Sequence, residues 1–257
     1  MTTTPAAGPA APEILAVETS DLAYALRRGW QDFRTAPLYG LFFASVYVAG
    51  GWLIVWAMTT QGQIWWTLPA SAGFPILGPF IACGLYEVSR RLEAGEALDW
   101  PGVLKAIFRQ KDRQIPSIAA VIVVFFLFWN FLSHMIFALF LGTATMTNVS
   151  SSLAIFATPQ GLTMLAVGTL VGAVFATVLY SLTVVALPML LDREVDFVTA
   201  MLTSLDLVRT SPLVMLGWGA FIAVALFLGM APWFLGLFVV LPVLGHASWH
   251  LYRRTIA

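Results

Sequence analysis

Charge is scarce in this chain: only 10% of its 257 residues are Asp, Glu, Lys or Arg, while 60% are hydrophobic, and the mean hydropathy is +0.86. A soluble domain carries roughly 25% charged residues, so most of this surface needs a solvent other than water, and lipid is the obvious one. The 13 basic and 13 acidic residues cancel, which leaves no electrostatic footprint for nucleic acid as a partner. A lone cysteine, Cys83, excludes an internal disulfide framework and any multi-cysteine metal cluster. Inside an apolar run it reads as a small packed hydrophobe. Catalytic signatures are missing as well: there is no glycine-rich phosphate loop, no HExxH pair and no serine nucleophile elbow. The expectation is a chain that is not an enzyme and holds no cofactor.

What the sequence has in abundance is long apolar stretches. About 20 apolar residues of helix cross the ~30 Å of bilayer hydrocarbon, and six stretches meet or approach that length: 37–59, 64–86, 115–141, 161–191, 212–228 and 232–250. The expected fold class is all-α, a polytopic membrane helix bundle. With six spans, all 13 basic residues fall on one side, as do the acidic ones, while the opposite loops 60–63, 142–160 and 229–231 hold no ionisable side chain. The positive-inside rule makes the charged side cytoplasmic, with both termini on it. The expected location is a bacterial inner membrane. The opening residues lack a basic region followed by an apolar core, so residues 1–19 read as a disordered cytoplasmic tail, not a cleavable signal. Trp65, Trp66 and Trp233 on the outer side, and Trp249 and Tyr252 on the inner, suit the headgroup layer as anchors.

Within 20–257, a single membrane domain, three units share a plan, at about 20–95, 96–194 and 195–257. Asp21 with Pro37, Asp99 with Pro116, and Asp196 with Pro212 bracket segments of near-constant length. Their apolar residues recur at intervals of three and four, as in Leu22, Leu26, Trp30 and Phe33. Each Asp stands where an N-cap belongs and each Pro where a new helix starts. Each unit thus reads as one amphipathic helix on the inner leaflet followed by a transmembrane hairpin.

The second helix of each hairpin carries proline: Gly73, Pro75, Gly78 and Pro79 in the first, Pro188 in the second, Pro242 and Gly245 in the third. Such positions suit a hinge or a pathway, or simply close helix packing. His246 and His250 share a helix face and are weak candidates for holding a cofactor, with packed histidines as the plainer reading. His134 lies ~28 Å beyond Ile115, near the outer leaflet. It cannot join them on one haem, and Asn130 with His134 reads as interhelical hydrogen bonding. Glu87, Arg90 and Arg91 form a local ion pair or line a cytoplasmic mouth.

The strings RGWQDF at 28–33, AGFPILGP at 72–79, GLYEVSRRL at 84–92, LPMLLDREVDFVTAM at 187–201 and GHASWHLYRR at 245–254 resemble a prokaryotic integral-membrane family of unknown function. Some of its members bear a cytochrome c oxidase label. The resemblance implies a bacterial membrane protein, and the label allows an accessory role beside a respiratory complex. A catalytic oxidase core needs more histidine ligands than the three here. The favoured expectation is an accessory, scaffold or lipid-interacting component whose partners are the bilayer and other membrane proteins. A transporter or channel for an uncharged or lipidic solute is the alternative.

Overall fold

The computed structural model describes residues 13–61, 67–142 and 153–257. Among them the regular structure is helical: α1 (Thr19–Thr35), α2 (Pro37–Gln61), α3 (Thr67–Ala94), α4 (Trp100–Arg109), α5 (Ile115–Leu141), α6 (Pro159–Thr183), α7 (Ala186–Asp192), α8 (Phe197–Thr210), α9 (Pro212–Met230) and α10 (Leu237–Thr255). Short 3₁₀ turns at Gln110–Asp112 and Leu153–Ala157 complete it.

Proline sets the helix boundaries. Ala36 and Ser211 leave helical geometry at φ −130°, ψ 54° and φ −134°, ψ 62°, because a residue before proline is pushed out of the α region. Pro37 and Pro212 then open α2 and α9, where a missing N–H goes unnoticed. Asp99 caps α4 by accepting from the Gly102 amide at 2.9 Å, and Asp196 caps α8 by accepting from Thr199 at 2.9 Å. Asp21 does not follow that plan. The cap of α1 is Glu18, whose amide donates back to Asp21 at 2.9 Å, so α1 begins one turn earlier than expected. At the end of α3, Gly95 takes φ +66° while the Glu96 amide donates to the Arg91 carbonyl at 2.9 Å, a left-handed closure that suits glycine.

Four helical segments are long and apolar enough to cross a membrane: Pro37–Ala57, Ile115–Leu141, Pro159–Asp192 and Pro212–Met230. They wrap the outside, exposing large apolar side chains such as Leu53, Phe131, Leu170 and Phe227. The remaining long helices, α3 and α10, lie inside. α10 packs on α1, α2, α3, α7 and α9, and α3 on α2, α4, α5 and α7. The stretch 161–191, expected as one span, breaks between α6 and α7 at Val184–Val185. Pro188 offers no N–H to the carbonyl of Val184, and the freed Val185 amide faces the Ser204 hydroxyl at 3.4 Å. The last helix starts at Leu237, after a turn in which Trp233 and Phe234 have positive φ (54° and 66°), later than the expected 232.

Three further expectations are corrected. α1 turns only part of the stripe Leu22, Leu26, Trp30, Phe33 inward: Phe33 is buried and Leu22 and Leu26 pack against the core, whereas Trp30 is 44% exposed and Ala25, Gly29 and Asp32 join the buried face. The small residues let α1 lie directly on α10, since a Cβ at Gly29 would come within 2.6 Å of the Val243 carbonyl oxygen. The N-terminal tail is ordered before residue 19. Leu15 donates to the Thr255 carbonyl at 2.9 Å, and the Val17 amide to Ser211 at 2.8 Å; residues 1–12 lie outside the described residues. Trp249 and Tyr252 are fully buried, not headgroup anchors, because α1, α3 and α7 cover the α10 end. Trp233 is exposed at its turn, while Trp65 and Trp66 lie outside the described residues.

Candidate functional site

The polar interior is concentrated where α1, α3 and α10 meet. His250 Nε2 stands 2.7 Å from Asp32 Oδ2, and His246 Nδ1 stands 2.8 Å from Ser89 Oγ, with all four residues buried. The spacing of four that puts both imidazoles on one face of α10 aims that face at α1 and α3. Burial works to raise the Asp32 carboxyl, but the hydrogen bonds of His250 and Ser89 and the nearby His246 outweigh it and hold the group below its ordinary range. An ionised carboxylate only accepts, so His250 Nε2 carries a proton. The direction of the His246–Ser89 hydrogen bond follows the imidazole tautomer, and His246 Nε2 is buried without a hydrogen-bond partner. Two buried pairs, His246 with Ser89 and His250 with Asp32, are thus carried by one face of α10.

A second polar layer lies beside the first. The Glu87 carboxylate is buried and accepts from Arg90 Nε at 2.8 Å, Arg90 Nη2 at 3.1 Å and Arg91 Nε at 2.7 Å. Burial opposes its ionisation, yet the two guanidiniums outweigh that and keep its carboxyl below the usual range. Arg90 continues to Glu96 and Arg91 to Asp99. Arg253 bridges Glu93 and Asp192, Trp249 Nε1 donates to Glu93 at 2.9 Å, and Arg254 pairs with Asp21. The charged segments that sequence placed on one side are therefore tied together at one end of the bundle.

Glu87 and Arg90 also line a cavity of about 320 Å³ with Arg109, Gln110, Arg113 and Glu194. Of the three residues Glu87, Arg90 and Arg91, the first two border this cavity, and Arg91 turns away to Asp99. Two apolar grooves run along α6. One, of about 360 Å³, lies against α5 and is lined by Pro75, Phe125, Trp129, Gly172, Phe175 and Ala176. It continues past Trp129 and Gly172 into a further 320 Å³ beside Phe137 and Met164. The other, of about 490 Å³, lies between α6 and α9, where Ala176, Tyr180, Leu216 and Gly219 meet.

The remaining expected positions scatter. Gly73, Pro75, Gly78 and Pro79 all fall within the continuous helix α3. A Cβ at Gly78 would meet the Tyr47 hydroxyl at 3.1 Å, and one at Gly245 would meet Leu85 Cδ1 at 2.5 Å, so these glycines serve close packing around α3. Pro188 and Pro242 are buried in α7 and α10. Asn130 and His134 do not bridge helices: His134 is exposed, and its Nδ1 meets the Asn130 carbonyl of its own helix at 2.8 Å. Among the described residues no group of three or more His, Cys, Asp or Glu is placed to hold a metal ion. Asp32, Ser89 and Gln110 were not anticipated. The signal for Asp32 was present in the spacing of Ala25, Gly29, Asp32 and Ala36, a narrow face of small residues that flags a helix contact.

The model of a family described as predicted integral membrane protein (DUF2189) matches residues 67–192, from the start of α3 to the end of α7. That stretch belongs to the family. The match agrees with the four long apolar segments, and the protein is an integral, multi-pass membrane protein. AGFPILGP and GLYEVSRRL lie inside the matched stretch, whereas RGWQDF and the C-terminal string lie outside it. No curated protein and no solved structure matches the chain.

Proposed function

We propose that this protein is a non-enzymatic, lipid-interacting accessory or scaffold component of the bacterial inner membrane. Its six spans form three units of interfacial helix plus hairpin, with both termini in the cytoplasm. The single observation that carries the reading is the pair of apolar grooves on either side of α6, open towards the lipid-facing surface and sharing Ala176. Lipid tails fit such surfaces without hydrogen-bond demands. The order of short helix, long helix, long helix recurs three times along the chain, which supports the three units; in this reading α3 and α10 are the two central spans.

Mild-detergent purification followed by phospholipid quantification tests the reading. Wild type retains several lipids per chain, and Ala176→Trp, an exposed position that blocks both grooves, loses a large share of them. Equal retention by both proteins refutes it. Orientation is tested in a Cys83→Ala background. Lys105→Cys is shielded from a membrane-impermeant thiol reagent in intact cells, and labelling of that residue from outside overturns the threading.

A further inference from the structure

The cavity beside Glu87 has a lining unlike the rest of the molecule. Arg109 ends α4, the 3₁₀ turn Gln110–Asp112 tightens the chain, and Arg113 follows one turn later, so both guanidiniums border the same space. Gln110 between them is only 3% exposed, and its Oε1 is buried without a hydrogen-bond partner. Amide oxygen and nitrogen exchange by a simple flip, so this side chain can offer a donor or an acceptor to whatever enters. A buried polar group left unsatisfied costs about 1–3 kcal/mol, and a ligand hydrogen bond removes that penalty.

The electrostatics favour an anion. Glu87 is saturated by the two arginines that hold it, so it repels little. Arg109 makes no ion pair or side-chain hydrogen bond among the described residues, and Arg113 makes only long contacts, to the Arg193 carbonyl at 3.4 Å and to Glu194 at 3.8 Å, with Glu194 itself 96% exposed. Two under-used guanidiniums and one free amide therefore converge on a space of about 320 Å³, within the range of roughly 300–1,000 Å³ for preformed small-ligand clefts. The cavity lies at the start of α5 and the end of α7, the depth at which a span leaves hydrocarbon. Forked guanidiniums at that depth match the oxygens of a phosphate.

We propose that Arg109, Gln110 and Arg113 form a binding site for a phosphate group. It is carried either by an anionic phospholipid headgroup or by a soluble phosphate ester. The proposal rests on the lipid-interacting reading only for the first source. The test uses full-length protein in nanodiscs of phosphatidylcholine doped with phosphatidylglycerol, read by native mass spectrometry, and a separate calorimetric titration with glycerol 3-phosphate. Arg109→Gln/Arg113→Gln and Gln110→Leu are compared with a control of equal charge loss away from the cavity, Arg27→Gln/Arg34→Gln, both exposed on α1.

Wild type retains phosphatidylglycerol over phosphatidylcholine, the double arginine variant loses that preference by about tenfold or more, and the control keeps it. Binding of glycerol 3-phosphate that both cavity variants abolish, without lipid preference, supports the same site with a soluble ligand. If wild type binds neither probe, or the control variant loses as much as the cavity variants, the site is overturned. Circular dichroism shows that each variant is folded. Total lipid retention is counted in the same spectra, so the phosphate site can fail while the apolar grooves still hold lipid.

Discussion

Replacing His250 with Phe keeps the ring volume on α10 but removes the N–H that Asp32 accepts at 2.7 Å. Asp32 is only 4% exposed, so solvent cannot replace the donor. Removing the donor leaves a buried carboxylate unsatisfied and costs about 3 kcal/mol, the upper end for a desolvated acceptor because this one is ionised. For a chain of this size each kcal/mol lowers Tm by roughly 2–4 °C, so the variant melts ~6 °C or more below wild type. Asp32→Asn is much milder at about 1 kcal/mol, since its amide oxygen still accepts from His250. The two proteins also diverge with pH. In wild type the Asp32 carboxyl titrates below its ordinary 3.8. Its contribution is therefore complete above pH 3.8 and lost as pH falls through the folded value. In His250→Phe the strongest donor is gone and burial pushes the carboxyl up, so acidification neutralises the stranded charge and relieves the penalty. The stability gap between the two proteins narrows from pH 7 towards pH 4. Thermal melts in detergent, followed by circular dichroism across that range, measure it. A gap that stays constant, or an Asp32→Asn loss as large as that of His250→Phe, refutes the assignment of an ionised Asp32 to this pair.

Other outcomes follow from the same contacts. Gly29→Ala places a methyl within 2.6 Å of the Val243 carbonyl oxygen, a backbone atom of α10 that cannot yield; α1 loosens, stability falls by about 1–3 kcal/mol or more, and limited proteolysis within α1 accelerates. Glu87→Gln leaves two arginines without their shared buried carboxylate and costs ~3 kcal/mol, whereas Glu96→Gln at the exposed rim leaves the melting curve unchanged. Ser204→Ala removes the hydroxyl facing the Val185 amide at the α6–α7 break, and a loss of about 1 kcal/mol is expected, seen as faster hydrogen exchange at that amide.

The outer helices were legible because their solvent is lipid. α2, α5, α6 and α9 meet hydrocarbon on one side and protein on the other, so nearly every residue must be apolar, and composition alone marks them. Helix starts were legible where proline or a capping Asp fixes them, as at Pro37, Asp99, Asp196 and Pro212. The face of α1 was legible only in part, through Leu22, Leu26 and Phe33, because hydrophobic periodicity looks for large residues. This contact is instead made by the absence of side chain at Ala25 and Gly29, which turns Trp30 outward and Asp32 inward.

The same physics explains why the candidate site was only half visible. A helix enclosed by other helices is not solvated by lipid, so it can carry polar groups wherever a neighbour satisfies them. α10 does so with His246 and His250, and α3 with Ser89 and Glu87, and each of these groups finds its partner on the same or a neighbouring element. Hydropathy therefore falls in the helices that matter most to the core and stays highest in those that only wrap it. The histidines drew notice by their spacing of four on one face, but Asp32 sits 218 residues away from His250 in sequence, and nothing local ties the two. The packing of α1 along α10 joins them, and it is closest at Gly29, where the absence of a side chain brings the Asp32 carboxylate within reach of the histidine.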